Sequence, residues 1–139
     1  MARIQFLSNS VPFNILKPTK TANWLKAICL DEGRALESLT YIFCSDAYLG
    51  RLNKRYLNHT TYTDILSFDY SEGRSIQGEV YISIPRVRDN ARKFDQPFET
   101  ELRRVVVHGL LHFLGYKDKS VRQKAQMRRK EEACLSLWK

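Results

Sequence analysis

The sequence predicts an α+β fold: one compact domain spanning residues 1–139, in which a small mixed four-stranded sheet packs against helices. Three observations lead there. The chain has 139 residues, 43% of them hydrophobic, which suits one domain around one core. Four short segments rich in β-branched and aromatic residues alternate with segments of helical periodicity. One helical segment, residues 99–114, is apolar over most of its circumference and belongs in the middle of the domain.

The elements follow in order. A first strand is expected at residues 3–7. Residues 21–36 read as a helix whose apolar stripe is Trp24, Leu25, Ile28 and Cys29. Residues 39–44 read as a strand, because Thr40, Tyr41, Ile42 and Phe43 favour pleated geometry. Ser45 is a natural N-cap for the next helix, which turns Leu49, Leu52 and Tyr56 toward the core. A polar loop is expected at residues 58–62, then a strand at residues 64–70 carrying Ile65, Leu66 and Phe68. After a turn at residues 71–75, residues 78–84 form a strand with Val80, Ile82 and Ile84 on one face and Tyr81 and Ser83 on the other. Pro85 suits the first turn of a short helix reaching residue 94. The long helix begins near Glu99 and carries Leu102, Val105, Val106, Leu110, Leu111 and Leu114. A last helix, rich in Lys and Arg, runs from residue 120 toward residue 138.

The formal net charge is +8, which favours a polyanionic partner such as nucleic acid, although a merely basic surface has the same sum. No apolar run approaches the ~20 residues needed to span a bilayer. The first ten residues make a poor signal peptide, so a cytoplasmic protein with no membrane partner is expected. The cysteines, Cys29, Cys44 and Cys134, fit neither a disulfide framework nor a metal pair. They are expected to act as small apolar filler, with a catalytic thiol a distant second.

Chemistry concentrates in HGLLHFLGYKD, residues 108–118. His108 and His112 stand one turn apart on a common helical face. Gly115 can end the helix in a left-handed cap, after which the chain can double back and bring Asp118 toward both rings. Two nitrogens and one carboxylate oxygen suit a catalytic zinc that keeps its fourth position for water. The same set also suits nickel or iron. The layout parallels the metzincin pattern of two histidines, a glycine and a third ligand. Zinc proteases place a glutamate base directly after the first histidine; here that position is Gly109, which disfavours peptide hydrolysis. Asp118 has a second reading as the cap of the last helix.

Together with TDILSF (residues 63–68), GEVYIS (residues 78–83) and LNKRY from Leu52, this motif resembles the YbeY family of metal-dependent endoribonucleases. The likeness spans nearly the whole chain and is weaker before Ser45. It implies a zinc site on the central helix, one ion per chain, held by His108, His112 and Asp118. It further implies cleavage of single-stranded RNA in ribosomal RNA processing, chiefly 3′-end maturation of 16S rRNA, and ribosome quality control. The small ribosomal subunit, with a ribosomal protein or a GTPase, would be the partner. Two positions depart from the family. The third ligand there is usually histidine in the order Asp-His, whereas this chain has Lys117-Asp118, which lowers the site's charge by one unit and makes bound water less acidic. The family often has arginine after Tyr56, whereas this chain has Leu57; Arg51, Arg55 or Arg74 are the substitutes to consider.

No residue is an evident general base. Asp64, Ser67 and His59 are candidates beside a metal-bound water, each with a bland alternative as a turn, a tight contact or an exposed ring. The nucleophile would be that water or the substrate's 2′-OH. Arg86, Arg88, Arg92 and Lys93 on one helix, and Arg122, Lys124, Arg128, Arg129 and Lys130 on another, are candidate RNA phosphate contacts or simply solvated faces. Two rival functions follow. One is a ribosome-assembly or RNA-binding factor with a structural metal and no catalysis. The other is a hydrolase of peptides or small molecules.

Overall fold

The computed structural model of the chain describes residues 2–57 and 64–139. Strand β1 (Arg3–Asn9) runs parallel to β2 (Ala35–Cys44), and β2 runs parallel to β4 (Ser75–Ser83). Strand β3 (Ile65–Asp69) pairs antiparallel with β4, giving the mixed order β1-β2-β4-β3. Five helices accompany the four strands among the described residues: α1 (Pro18–Asp31), α2 (Asp46–Leu57), α3 (Ile84–Lys93), α4 (Phe98–Phe113) and α5 (Val121–Ser136). This is the expected α+β architecture.

Helices α1, α4 and α5 bury one face of the sheet. Their Leu25, Ile28, Leu102, Val106, Leu110 and Met127 join Leu39, Tyr41, Phe43, Val80 and Ile82 in one core. Two buried polar groups tie this core together. The Tyr41 hydroxyl donates to the Val106 carbonyl at 2.8 Å, and the Trp24 indole N–H donates to the Cys134 carbonyl at 2.9 Å. Helix α2 lies against Leu66, Phe68 and Tyr81, with Leu49 at the centre of a smaller cluster. Helix α4 sits very close to the sheet. A Cβ at Gly109 would stand 2.9 Å from Val80 Cγ1, and one at Gly78 would stand 2.5 Å from the Phe113 ring. Both positions need the missing side chain for that approach.

Three expectations are corrected. Helix α1 ends at Asp31, not at residue 36. Gly33 takes φ +71°, and the Arg74 guanidinium donates to its carbonyl at 2.7 Å, so the chain turns and β2 starts at Ala35 beside Ser75. Leu36 had satisfied the helical period, but its partner is Ile76 across the sheet. Tyr56 is 57% exposed and meets Phe68 edge-on instead of entering the core. Ile84 begins α3, because the Ser83 hydroxyl caps that helix by accepting from the Arg86 N–H. The N-cap at Ser45 holds, with its hydroxyl accepting from the Tyr48 N–H at 3.1 Å. The polar loop expected at residues 58–62, with His59, lies outside the described residues. Among the described residues no helix is long and apolar enough to cross a membrane.

Candidate metal centre

Helix α4 ends in a way that builds the site. Gly115 adopts φ +103°, its N–H donates to the His112 carbonyl at 3.1 Å, and the Tyr116 N–H donates to the Leu111 carbonyl at 3.0 Å. These two bonds make a Schellman turn, which reverses the chain at the helix end. Ser120 then caps α5 in a reciprocal box with Gln123. The cap role considered for Asp118 therefore belongs to Ser120, and the Asp118 carboxylate points at the histidines.

The three groups converge. His108 Nε2 and His112 Nε2 lie 3.0 Å apart. Asp118 Oδ2 is 3.2 Å from His108 Nε2 and 3.4 Å from His112 Nε2. A tetrahedral zinc with ligand bonds of about 2.0–2.1 Å has ligand–ligand edges of roughly 3.3–3.4 Å. The observed triangle is close in size to one face of such a tetrahedron. The donor set thus fits a divalent ion.

The electrostatics are uneven. Burial disfavours a charged His108 ring, but the hydrogen bond and charge of Glu131, with Asp118 and Asp64, outweigh it and raise its pKa above the ordinary imidazole value. Burial and then the charge of His108 hold His112 below that value. Burial raises Asp64, against the pull of His108. Burial likewise pushes the thiols of Cys29 and Cys134 up to about 11 and that of Cys44 to about 12, so all three are packed thiols and not nucleophiles.

A cleft of about 520 Å³ opens beside His108, walled by Asp64, Asn90, Glu101, Arg104, Arg128 and Glu131. Asp64 stands in its wall just before β3, with Asn90 Nδ2 reaching its carboxylate at 3.5 Å. Ser67 sits on β3 opposite Val80 and is not part of that wall. Of the arginines, Arg128 borders the cleft, while Arg122 and Arg129 are exposed on the same helix, α5. Arg86 pairs with Asp46 at 2.9 Å and joins α3 to α2. Arg88 lies over the Phe98 ring, and Arg92 pairs with Asp89 at 3.6 Å.

Sequence reasoning missed Glu131 and Arg104. Glu131 Oε2 is 2.6 Å from His108 Nδ1, and Arg104 Nη1 is 3.2 Å from Glu131 Oε1. The residues RRKEE around Glu131 look like a solvated charged face, and only the packing of α5 on α4 reveals its partner. For Arg104 a signal was present: residues 104, 108 and 112 recur every four, on one stripe.

The family profile described as endoribonuclease YbeY matches residues 9–139. A protein named endoribonuclease YbeY from Flavobacterium psychrophilum is 49% identical over 128 residues, covering 92% of this chain and 91% of that protein. One of the same name from Christiangramia forsetii is 47% identical over 84% of this chain and 81% of its own. The solution structure of TM1509 from Thermotoga maritima superposes with a TM-score of 0.64 at 27% identity, covering 98% of this chain and 91% of that one. Fold and relatives together define a nuclease, a hydrolase of the RNA chain. More narrowly, the chain belongs to the endoribonuclease YbeY family.

Proposed function

We propose that the protein is a zinc-dependent endoribonuclease that cleaves single-stranded RNA, folded as one domain over residues 1–139. The observation that carries this is the His108–His112–Asp118 triangle, with edges of 3.0, 3.2 and 3.4 Å, whose His108 also lines a cleft, in a chain of net charge +8. One zinc per chain would be held by these three side chains, and nickel or iron would suit them too. When bound, the ion supplies Lewis acidity to a phosphoryl oxygen of the substrate. Everything else falls to the chain. Arg128, with Arg122 and Arg129 on the same helix, would hold phosphates as they pass the cleft. Arg88 and Arg92 on α3 would add phosphate contacts, and Arg86, paired with Asp46, would help fix that helix in place. Asp64 is the first candidate to hold a proton from water or the 2′-OH, because it stands in the cleft wall with a raised pKa. Ser67 and His59 come after it.

The family likeness supports a place in ribosomal RNA processing, at the 3′ end of 16S rRNA, and in ribosome quality control. That setting would be the cytoplasm, with the small ribosomal subunit and a ribosomal protein or GTPase as partners. Leu57, standing where the family often has arginine, favours a second reading: an RNA-binding assembly factor whose metal is structural. One experiment separates the two. Nuclease-free protein should cut a single-stranded RNA, stop in chelator, recover on adding zinc, and fall to the chelated background as His112→Ala. Zinc and RNA bound with no turnover would favour the assembly factor.

A further inference from the structure

We infer that Glu131 is the positioning residue of the metal centre: clamped by Arg104, its carboxylate holds His108 in the tautomer whose Nε2 lone pair faces His112 and Asp118. This rests on the proposed role of those three side chains as ligands. The Glu131 side chain is only 8% exposed, and a buried carboxylate is tolerated when both oxygens are partnered. Here Oε2 lies 2.6 Å from His108 Nδ1, and Oε1 accepts from Arg104 Nη1 at 3.2 Å. Arg104 is itself pinned from two other sides. Its Nη2 donates to Glu132 Oε1 at 2.6 Å, and its Nε lies 3.7 Å from Glu101 Oε1. The guanidinium is thereby held at three points and fixes Glu131 in turn.

The consequence for His108 is chemical. A carboxylate can only accept, so Nδ1 of the neutral ring must carry the proton and Nε2 must present the lone pair. Nε2 is the atom that faces Asp118 and His112. Glu131 also raises the electron density of the ring, which strengthens it as a ligand. The bond joins two helices, since Glu131 lies on α5 and His108 on α4. The interface between α4 and α5 therefore sets the orientation of the first ligand as well as closing the core.

A purely structural ion pair would make a different prediction, and a set of variants separates the two. Zinc affinity is read by competition with a chromophoric chelator, and folding by circular dichroism. Glu131→Leu should bind zinc about 10–100-fold more weakly. Glu131→Gln keeps an acceptor oxygen for Nδ1–H and should lose less; it also carries the test if the leucine variant does not fold. Ser136→Ala removes the hydroxyl that donates to the Ala133 carbonyl at 2.6 Å, at the far end of the same helix, and should leave affinity unchanged. Nitrogen-15 spectra of metal-free protein at alkaline pH should show His108 protonated at Nδ1, a preference lost in Glu131→Leu. Folded Glu131 variants with wild-type zinc affinity and an unchanged tautomer would overturn the inference. Failure of the wild type to bind zinc would instead remove the ligand assignment, and the metal-free spectra would still decide the tautomer.

Discussion

Gly109 shows how one residue shapes the chemistry. It follows the first histidine, where zinc peptidases carry their base, and it faces the sheet. An added Cβ would lie 2.9 Å from Val80 Cγ1 and 3.1 Å from Ile65 Cδ1. A glutamate there would have no room and no path to the ligands, so the peptide-hydrolase reading loses its physical basis. Gly109→Ala should destabilise the fold by about 1–3 kcal/mol through overpacking. Denaturant melts check this, and an unchanged midpoint would contradict the close approach. At this scale the sequence was most informative where spacing encodes position. Residues 108 and 112 share a helical face, and the glycine at 115 announces the reversal that brings 118 back. Glu131 was illegible for the opposite reason: its partner lies 23 residues away, across a helix–helix contact that no local pattern records.

Among the elements, α4 with its terminal turn does the most to create the site. The Schellman turn at Gly115 is a backbone device, and its φ of +103° is one that side-chain-bearing residues adopt only at a cost. Gly115→Ala should cost about 1–3 kcal/mol and weaken zinc binding, because Asp118 would no longer be returned to the rings. Calorimetry and a zinc titration on the same variant check both halves. Retained affinity would show that Asp118 reaches the site without this turn. Helix starts were legible from chemistry the chain states openly: Ser45 and Pro85 lie where the structure uses them. The end of α1 was not. Leu36 fits an apolar helical stripe and an alternating strand equally well, and what decides is non-local, since Ala35 pairs with Ser75 across the sheet. The same pairing explains why β4 begins three residues before the expected position.

For the whole molecule, fold class was readable from the alternation of strand-like and helix-like segments, whereas the order β1-β2-β4-β3 was not, because strand order depends on long-range pairing. The charge of +8 becomes meaningful through its placement. Arg128 borders the cleft, Arg122 and Arg129 are exposed on the same helix, and Arg86 is paired with Asp46. Replacing the three α5 arginines with alanine should reduce the salt dependence of single-stranded RNA binding by about two units of log–log slope, at ~0.7 per lost phosphate contact. Equilibrium binding across a salt series would show it, and an unchanged slope would move the RNA path elsewhere. The proposed activity depends on three side chains meeting one ion. Elemental analysis of purified wild-type protein beside His108→Ala and Asp118→Ala tests that most directly. About one zinc per chain in the wild type, and little or none in either variant, is the expected result. Equal zinc in all three proteins, or none in the wild type, would contradict it.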